Sequence, residues 1–470
     1  MTDGKLNYNP LYLQVRDVLY KRIVEEEYSP GKAIPSESKL ASDFGTSIST
    51  IRQALSLLVA EGVLVKKQGK GTIVSDRKVK ITFLSWMQET PRGGEILAEL
   101  VRKFEAGHPS IAVEIIPTTY PETRNALTRL IGSGGAPDVA QIVSHWTSYF
   151  ASTGALEPLD ALLSKENISS RLPVQDLLGG TFQNRIYSVA WGLCPIALVA
   201  NRNVLSAAGV EIPRSPLTLS EFLDCCRRID CIEARDPPAA FGLWYTPGVE
   251  NDYLSIYTFL QAFGGELIDD SGVLRFDSPE NVAGFGWLRE LVTGNRIFAS
   301  DIFTIRRRFA ENRIGFISDG PWIKYLLEEI TGEDFDANFQ VLLNPVQASA
   351  DSRSWMYNHA LAVCSQSRNK LQAARFVEAI TSELSAWYSS QVGILPPRHE
   401  VLSAPDFSNG FFATYREQLR HAKSIDARNP MFERAMVLCV DAVKKILFEG
   451  ASIEKELAEK EHYLRMLYYD

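Results

Sequence analysis

Several tryptophans of this 470-residue chain fall at predicted strand ends or in predicted loops, near side chains that form hydrogen bonds. A sugar presents flat C–H faces that pack on an indole ring, while its hydroxyl groups need polar partners. Tryptophan beside a carboxylate or an amide is therefore the combination that a carbohydrate site requires. The tryptophans are Trp86, Trp146, Trp191, Trp244, Trp322 and Trp355. The candidate polar partners are Glu89, Asp138, His145, Asn251, Asp252, Asp319 and Arg398.

The alternative interpretation of any tryptophan is a side chain in the hydrophobic core. We favour that interpretation for Trp287 and Trp387, which fall on predicted helices. For the tryptophans in loops both interpretations stay open. Ligand sites of α/β proteins form at the carboxyl ends of strands, where such loops begin.

A second group of residues, near the N-terminus, has the composition of a DNA-binding element. Residues 47–61 predict a helix with Ser47 as its N-cap and Gly62 after its end. One face of this helix is apolar, and the other carries hydroxyl, amide and guanidinium groups. A shorter predicted helix, residues 36–44, precedes it across a Gly45-Thr46 turn. Two helices joined in this way form a helix-turn-helix.

The segment after these helices predicts a β-hairpin. Residues 63–67 and 72–75 are β-prone, and Gln68-Gly69-Lys70-Gly71 forms a basic, glycine-rich tip that can lie against phosphates. Together these elements resemble the winged helix-turn-helix of the GntR family of bacterial transcription regulators, and an upstream helix with Leu11, Val15, Val18, Leu19 and Ile23 fits the family's first helix. The residues that carry the resemblance are Pro35-Ser36-Glu37, Leu40-Ala41, Ser47, Thr50-Ile51-Arg52, Ala54-Leu55, Leu58, Glu61-Gly62 and Gln68-Gly69-Lys70-Gly71-Thr72.

The resemblance implies a domain that binds a double-stranded DNA operator, with the second helix in the major groove and the hairpin tip on the backbone. Two positions depart from the family pattern, because Ser38 and Ile48 stand where the family often has arginine. Arginine neutralises phosphate and recognises guanine, so these two residues bear on the strength and sequence preference of binding. The implied DNA-contacting residues are Ser36, Ser38, Ser47, Ile48, Ser49, Thr50, Arg52, Gln53, Lys67, Gln68, Gly69, Lys70, Gly71 and Thr72.

Charge is distributed unevenly along the chain. Residues 1–80 hold 13 basic and 9 acidic side chains, a net charge of +4, whereas the whole chain carries −8 and the remainder therefore −12. A basic head on an acidic body indicates that nucleic acid binds at the head only. The sequence shows neither a secretory signal nor a stretch of about 20 apolar residues, so we expect a cytoplasmic protein without membrane contact. The cysteine spacings predict neither a zinc site nor a disulfide framework, and we expect no cofactor.

After residue 80 the pattern changes to alternating strands and helices. Strands are predicted at 81–86, 111–116 and 139–143, with helices at 95–105 and 122–131 between them. This order predicts a largely parallel sheet covered by helices. We therefore predict three parts of the chain: the winged helix-turn-helix at residues 1–76, a short linker at 77–80 and the body at 81–470.

The body resembles bacterial solute-binding proteins of the maltose-binding type. The resemblance rests on short segments in the same order, among them ITFLSW, GGAPDVAQI, GALEPLD, FGGELIDDSGVLRFDSPE, ISDGPW and VGILPPR. It implies a two-lobed α/β fold of the periplasmic-binding-protein type (type II), with lobe 1 at about 81–190 and 355–395 and lobe 2 at about 191–354 and 396–470. It also implies that Trp322, in Asp319-Gly320-Pro321-Trp322, stacks on a sugar. Ala190 and Trp191 depart from the family pattern, so Trp191 can fill space that a sugar occupies elsewhere.

No spacing typical of a nucleophilic, metalloprotease or P-loop enzyme is present, and we expect no enzymatic activity. We therefore expect a ligand-responsive transcription regulator that binds DNA as a homodimer and acts as a repressor. Its effector is expected to be a small molecule such as an oligosaccharide. The alternatives are the solute-binding component of an ABC transporter and a glycoside hydrolase.

Overall fold

The computed structural model describes residues 10–24, 27–60, 62–163, 180–211, 216–245, 253–269, 272–347, 351–408, 410–424 and 429–469. The chain divides into two compact units. The first unit comprises Met1–Ala140, Ala161–Leu163 and Val363–Ile380, and the second comprises Gln141–Asp160, Ser164–Ala362 and Thr381–Asp470.

The N-terminal part of the first unit is a three-helix domain with a hairpin, as the sequence predicts. The Ser36 and Ser47 side chains accept hydrogen bonds from the backbone N–H groups of Lys39 and Thr50, so each serine caps the helix that follows it. Apolar side chains from all three helices and both strands form one core. The elements are α1 (Leu11–Val24), α2 (Glu37–Asp43), α3 (Ile48–Ala60), β1 (Leu64–Lys67) and β2 (Gly71–Val74).

The rest of the described chain alternates strands with helices. Its strands are β3 (Val79–Ser85), β4 (Ile111–Pro117), β5 (Val139–Val143), β6 (Thr181–Phe182), β7 (Arg185–Ile186), β8 (Ser188–Pro195), β9 (Ala197–Asn201), β10 (Ala239–Trp244), β11 (Ile297–Ser300), β12 (Ile314–Asp319), β13 (Phe339–Leu342), β14 (Ser354–Val363) and β15 (Ala422–Ser424). Its helices are α4 (Pro91–Gly107), α5 (Thr123–Gly132), α6 (Thr147–Ser152), α7 (Arg202–Ala207), α8 (Leu219–Asp230), α9 (Tyr253–Ala262), α10 (Pro279–Gly294), α11 (Ile302–Ala310), α12 (Ile323–Thr331), α13 (Phe335–Asn338), α14 (Lys370–Thr381), α15 (Ser385–Val392), α16 (His399–Leu402), α17 (Gly410–Arg420), α18 (Phe432–Leu447) and α19 (Ile453–Tyr469).

In the first unit β3 pairs in parallel with β4 and with β5. Two predicted boundaries are wrong here. Val79 and Lys80, assigned to the linker, pair with Ile111 and Ala112 and so begin β3. Helix α4 begins four residues before the predicted start, because the Thr90 side chain caps it at the Gly93 N–H and Pro91 occupies its first turn.

The second unit contains a five-stranded sheet in the order β11-β10-β12-β9-β13. Strand β9 runs antiparallel to β12 and β13, whereas β10 runs parallel to β11 and β12. Strand β14 pairs in parallel with β15 and antiparallel with β8. The predicted capping box of Thr218 and Glu221 is present at the start of α8, and Ser278 caps α10 as predicted.

None of the helices in the described part of the chain has the length and apolarity that crossing a bilayer requires.

Asp138, immediately before β5, joins three segments of the first unit. Its Oδ2 accepts hydrogen bonds from the Thr82 backbone N–H (2.8 Å) and from the Thr82 Oγ1 hydroxyl (3.1 Å). Its Oδ1 accepts one from the Ser367 hydroxyl at 2.5 Å. The carboxylate is buried, and its backbone carbonyl also accepts from the Cys364 N–H. Asp138 therefore holds β3, β5 and the loop before α14 together.

We expect Asp138→Asn to lower the free energy of unfolding by about 2 kcal/mol, because an amide N–H₂ replaces an acceptor that faces a buried donor. Chemical denaturation followed by circular dichroism measures this. Asp224→Asn, an equivalent change at an exposed aspartate, is the control, with an expected effect below about 0.5 kcal/mol. Equal stability of both variants would contradict the structural role of Asp138.

Candidate functional site

The outward face of α3 presents the polar side chains that the sequence predicts. Ile51, Ala54, Leu55 and Leu58 are buried in the domain core. Ile48 is 41% exposed, and its apolar side chain is available for a contact such as a thymine methyl group. Of the predicted DNA-contacting residues, Thr50 and Thr72 are half-buried. The exposed ones are Ser36, Ser38, Ser47, Ile48, Ser49, Arg52, Gln53, Lys67, Gln68, Gly69, Lys70 and Gly71.

Arg52 projects from this face and is held from one side by Glu37. The Arg52 Nε atom donates to Glu37 Oε2 at 2.7 Å, and the Arg52 side chain is 64% exposed. An ion pair at this exposure contributes little stability, but it restricts where the guanidinium points. Glu37 begins α2, so it fixes the Arg52 guanidinium relative to both helices of the helix-turn-helix. Sequence reasoning counted Glu37 only as part of a family motif and missed this contact.

The wing is a tight hairpin with a basic tip. Lys67 pairs with Gly71, which leaves Gln68, Gly69 and Lys70 as the connecting residues. Gly69 and Gly71 have φ values of 75° and 80°, a conformation that glycine adopts without strain. The side chains of Lys66, Lys67 and Lys70 are exposed. This places three cations within one hairpin, as contact with a phosphate backbone requires.

A second candidate site lies in the second unit, at one edge of its five-stranded sheet. Strands β10 and β12 are parallel, so their carboxyl ends meet at the same edge. Trp244 is the last residue of β10 and Asp319 the last residue of β12. Helix α11 brings Arg306 to this edge. Sequence reasoning selected Trp244 and Asp319 but missed Arg306.

Arg306 and Asp319 form a buried bidentate ion pair. The Arg306 Nε and Nη2 atoms donate to the two Asp319 carboxylate oxygens at 2.7 and 2.9 Å. The Gly320 N–H donates to the same carboxylate, and the Tyr415 hydroxyl donates to the Asp319 backbone carbonyl at 3.1 Å. Burial raises the pKa of Asp319, and the Arg306 guanidinium opposes that rise. The Arg306 and Asp319 charges therefore neutralise each other within the protein.

Aromatic rings surround this ion pair. The Arg306 guanidinium carbon lies 5.7 Å from the centroid of the Trp244 ring and 6.0 Å from that of Trp322. The Trp322 ring stacks on His359 of β14, with centroids 5.3 Å apart and planes 15° apart. Burial lowers the pKa of His359 to about 3, so this imidazole is neutral at neutral pH. The arrangement places two indole rings beside an ion pair whose charges neutralise each other.

Trp322 is 7% exposed, and Trp244 is half-buried. The structure therefore brings together Trp244, Asp319 and Trp322 from the predicted ligand-binding set, and their role in binding stays a prediction. Neither Arg306 nor His359 carried a signal in the sequence. Arg306 lies in a run of three arginines, and His359 lies inside a strand.

The predicted ligand residues of the first unit are Trp86, Glu89 and Asp138. Trp86 packs edge-to-face against Tyr120, with ring centroids 5.6 Å apart. The Glu89 Oε2 atom accepts from the Tyr120 backbone N–H at 3.3 Å. Asp138 makes the structural contacts described above. Trp86, Glu89 and Tyr120 thus form one local group, separate in its contacts from Asp138.

The remaining predicted residues are mostly in the core of the second unit. Trp191 was expected at a strand end or in a loop, but it lies in the middle of β8, fully buried and stacked on Tyr388 at 4.0 Å. His145 is buried, with its Nε2 atom 3.5 Å from Glu433 Oε1. Trp146 and Trp355 are buried, Arg398 is half-buried, and Asp252 and Asn251 lie outside the described residues.

No group of three or more histidine, cysteine or carboxylate side chains within the described ranges is placed to hold a metal ion.

Comparison with known proteins identifies relatives of both parts. The family described as bacterial extracellular solute-binding protein matches residues 99–413, and the family described as bacterial regulatory proteins, gntR family, matches residues 11–74. The maltotriose-binding protein of Pyrococcus abyssi is 24% identical over 333 residues, which are 69% of this chain and 68% of that protein. The mannosyl-D-glycerate transport/metabolism system repressor MngR of Escherichia coli is 42% identical over 74 residues, 16% of this chain and 31% of that protein.

The chain thus spans about a third of the length of the GntR-type repressors that it matches. Among solved structures, the GacH receptor of Streptomyces glaucescens superposes with a TM-score of 0.73 at 21% identity, over 84% of this chain and 99% of that one. These matches confirm the predicted fold class, a GntR-type winged helix-turn-helix followed by a two-lobed fold of the periplasmic-binding-protein type.

Because His359 is buried, the stability of the folded chain depends on pH, which the sequence does not suggest. Its pKa is 6.5 when unfolded and about 3 when folded, so below pH 6.5 the unfolded chain binds a proton that the folded chain does not. Stability therefore falls as the pH drops below 6.5. Between pH 6.5 and pH 5 this group alone costs about 2 kcal/mol.

We expect His359→Phe, which keeps an aromatic ring against Trp322, to lose stability less steeply than the wild type between pH 7 and pH 5. Denaturant unfolding at both pH values measures the difference. His462→Gln, a change at an exposed histidine, serves as the control and should follow the wild type. Parallel curves for wild type and His359→Phe would contradict a neutral buried imidazole.

Proposed function

Because the chain belongs to the bacterial extracellular solute-binding protein family and carries a GntR-type DNA-binding domain, we propose that it is a transcription regulator controlled by a small solute. The single observation that carries this proposal is the presence of both domains in one polypeptide. An exposed recognition helix with a basic wing gives the chain a surface for DNA. The solute-binding domain gives it a means to respond to a ligand.

The DNA-binding part of the proposal rests on α3 and the wing. Arg52, held by Glu37, and Gln53 present the donor groups that recognise base edges in a major groove. Lys67 and Lys70 on the wing supply phosphate contacts, which give affinity without sequence preference. A two-fold DNA site then requires two copies of the chain, so the protein acts as a homodimer in the cytoplasm.

The ligand part of the proposal rests on the group formed by Trp244, Arg306, Asp319 and Trp322. The ion pair is internally neutralised, and the two indole rings provide the apolar faces on which sugar rings pack. The effector is an oligosaccharide or a related neutral solute. Maltotriose is the first compound to test, because a relative over two thirds of the chain is a maltotriose-binding protein. Neither family is one of enzymes, and the protein acts by binding alone.

Family membership also favours a second function, delivery of a solute to a membrane permease as the binding component of an ABC transporter. DNA binding distinguishes the two functions. A transport component has no use for the exposed face of α3 or for the lysines of the wing, whereas a regulator depends on both.

We expect Arg52→Ala to weaken binding to the DNA upstream of the protein's own gene by about 10-fold to 100-fold, because one bidentate base contact contributes about 1–3 kcal/mol. Fluorescence anisotropy of a labelled duplex at two salt concentrations measures the dissociation constant. Arg102→Ala is the matched control, since Arg102 is 68% exposed and pairs with Glu99 on α4 of the body. Equal binding by wild type and Arg52→Ala would reject the assignment of α3 as the recognition helix.

We expect maltotriose or another oligosaccharide from a screen to raise the unfolding temperature of the wild type. At a ligand concentration one hundred times the dissociation constant, binding adds about 2.7 kcal/mol to the free energy of unfolding. Trp322→Ala should lose this ligand-induced shift, because the indole face is removed. Trp287→Ala, a change at a tryptophan packed against Phe259 in the same unit, should keep it. The comparison uses the ligand-induced shift in each variant, which separates binding from any loss of stability. An unchanged shift in Trp322→Ala would place the ligand elsewhere.

A further inference from the structure

Tyr20 connects the DNA-binding domain to the body within the first unit. It lies on α1, the helix that packs against α3, and its ring packs against the core of the domain. Its hydroxyl oxygen lies 2.9 Å from Oε1 and 2.6 Å from Nε2 of Gln372, a residue 352 positions later on α14. Gln372 is only 3% exposed. A single side chain therefore contacts the core of one domain and a buried amide of the other.

The body side of this contact is firmly held. Phe376, one turn after Gln372, packs edge-to-face against Phe83 of β3 and Phe104 of α4, with ring centroids 5.2 and 4.9 Å apart. Both aromatic pairs lie in the first unit. Helix α14 therefore keeps one position on the sheet, and the Gln372 amide keeps one position for Tyr20.

Hydrogen bonds also fix the start of α14. The Ser367 hydroxyl donates to Asp138 and accepts from the Asn369 N–H at 3.0 Å. The Asn369 side-chain amide donates to the backbone carbonyl of Lys80 at 3.3 Å. Lys80 is the second residue of β3, two residues after the linker ends at Lys78. The loop before α14 thus contacts the point where the body begins.

The covalent chain links this region to the candidate ligand site. Strand β14 carries His359, the residue that stacks on Trp322, and runs directly into the loop before α14. His359 and Gln372 are 13 residues apart in the sequence. The two residues are therefore joined by the end of β14 and the loop before α14, without another helix or strand between them.

We propose that Tyr20 and Gln372 are positioning residues, which hold α3 in one orientation on the part of the body that belongs to the first unit. The proposal rests on the proposed function, because the orientation of α3 matters for a protein that binds two half-sites on DNA. The linker between β2 and β3 has only a few residues, Ser75–Lys78, and does not by itself fix an orientation. The Tyr20–Gln372 hydrogen bond supplies a second point of attachment, which restricts the rotation that the linker alone leaves free.

The first test is limited trypsin cleavage of the full-length chain at Arg77 and Lys78, which are exposed in the linker. We expect Tyr20→Phe and Gln372→Leu each to accelerate this cleavage about fivefold, as the loss of one net hydrogen bond predicts. The double variant should be no faster than either single one, because both changes remove the same contact. Tyr28→Phe is the matched control, since its hydroxyl accepts from Arg22 inside the DNA-binding domain and does not reach the body.

Unchanged cleavage in both single variants, or rates that multiply in the double variant, would overturn the proposal. A variant that is merely destabilised would also be cleaved throughout the body, which mass spectrometry of the products detects. The cleavage test needs no DNA and no effector. It therefore decides the role of Tyr20 even if the wild type binds no DNA, a result that would instead reject the proposed function.

The second test measures orientation through DNA. Duplexes carry two copies of a half-site selected from a random-sequence pool, and their spacing increases in steps of one base pair. We expect the wild type to bind one spacing with an affinity tenfold or more above the others. Tyr20→Phe and Gln372→Leu should bind all spacings with the same affinity. Both variants should bind a single half-site as tightly as the wild type does. Retention of the spacing preference in both variants, or its absence in the wild type, would overturn the positioning role.

Discussion

The buried carboxylate of Asp138 is the interaction on which the rest of the first unit depends. It joins β3, the start of β5 and the loop before α14, three segments that are far apart in the sequence. A buried carboxylate without its donors would carry a large desolvation cost, so the three segments form their mutual geometry together or not at all. The DNA-binding domain contacts this assembly through α14. If Tyr20 and Gln372 act as proposed, the orientation of α3 depends on a carboxylate in a different part of the first unit.

The Arg306–Asp319 ion pair plays a comparable part in the second unit, but its consequence is chemical. A buried ion pair contributes little net stability, because desolvation of the two charges offsets their attraction. What it does provide is a fixed polar group without net charge beside two indole rings. Had the sheet edge carried Arg306 alone, it would favour an anionic ligand. With Asp319 bound in bidentate fashion, the two charges cancel, which supports the uncharged solute of the proposed function.

The sequence was sufficient for elements whose ends carry their own signals. Ser47 before an apolar period of 3.6 predicts α3, and Thr218 with Glu221 predicts the start of α8, because capping is a local interaction. The start of α4 was predicted too late, since the apolar period begins after the first turn that Thr90 and Pro91 create. Trp191 shows where prediction from the sequence fails. Nothing in its neighbours distinguishes a ligand-facing tryptophan from one buried against Tyr388, because that contact depends on a partner about 200 residues away.

The candidate ligand site shows the same limit at the level of topology. Trp244, Arg306 and Trp322 meet only because β10 and β12 are neighbours and parallel, and sequence patterns do not determine strand order.

The free energy that regulation requires can be compared with the free energy of a single contact. Couplings between two sites are typically about 1–3 kcal/mol, and one net hydrogen bond contributes about 1 kcal/mol. On the proposed function, control of DNA binding needs no large rearrangement inside the DNA-binding domain. In the homodimer of the proposed function, the contact between Tyr20 and Gln372 is counted twice, and about 2 kcal/mol lies within that range.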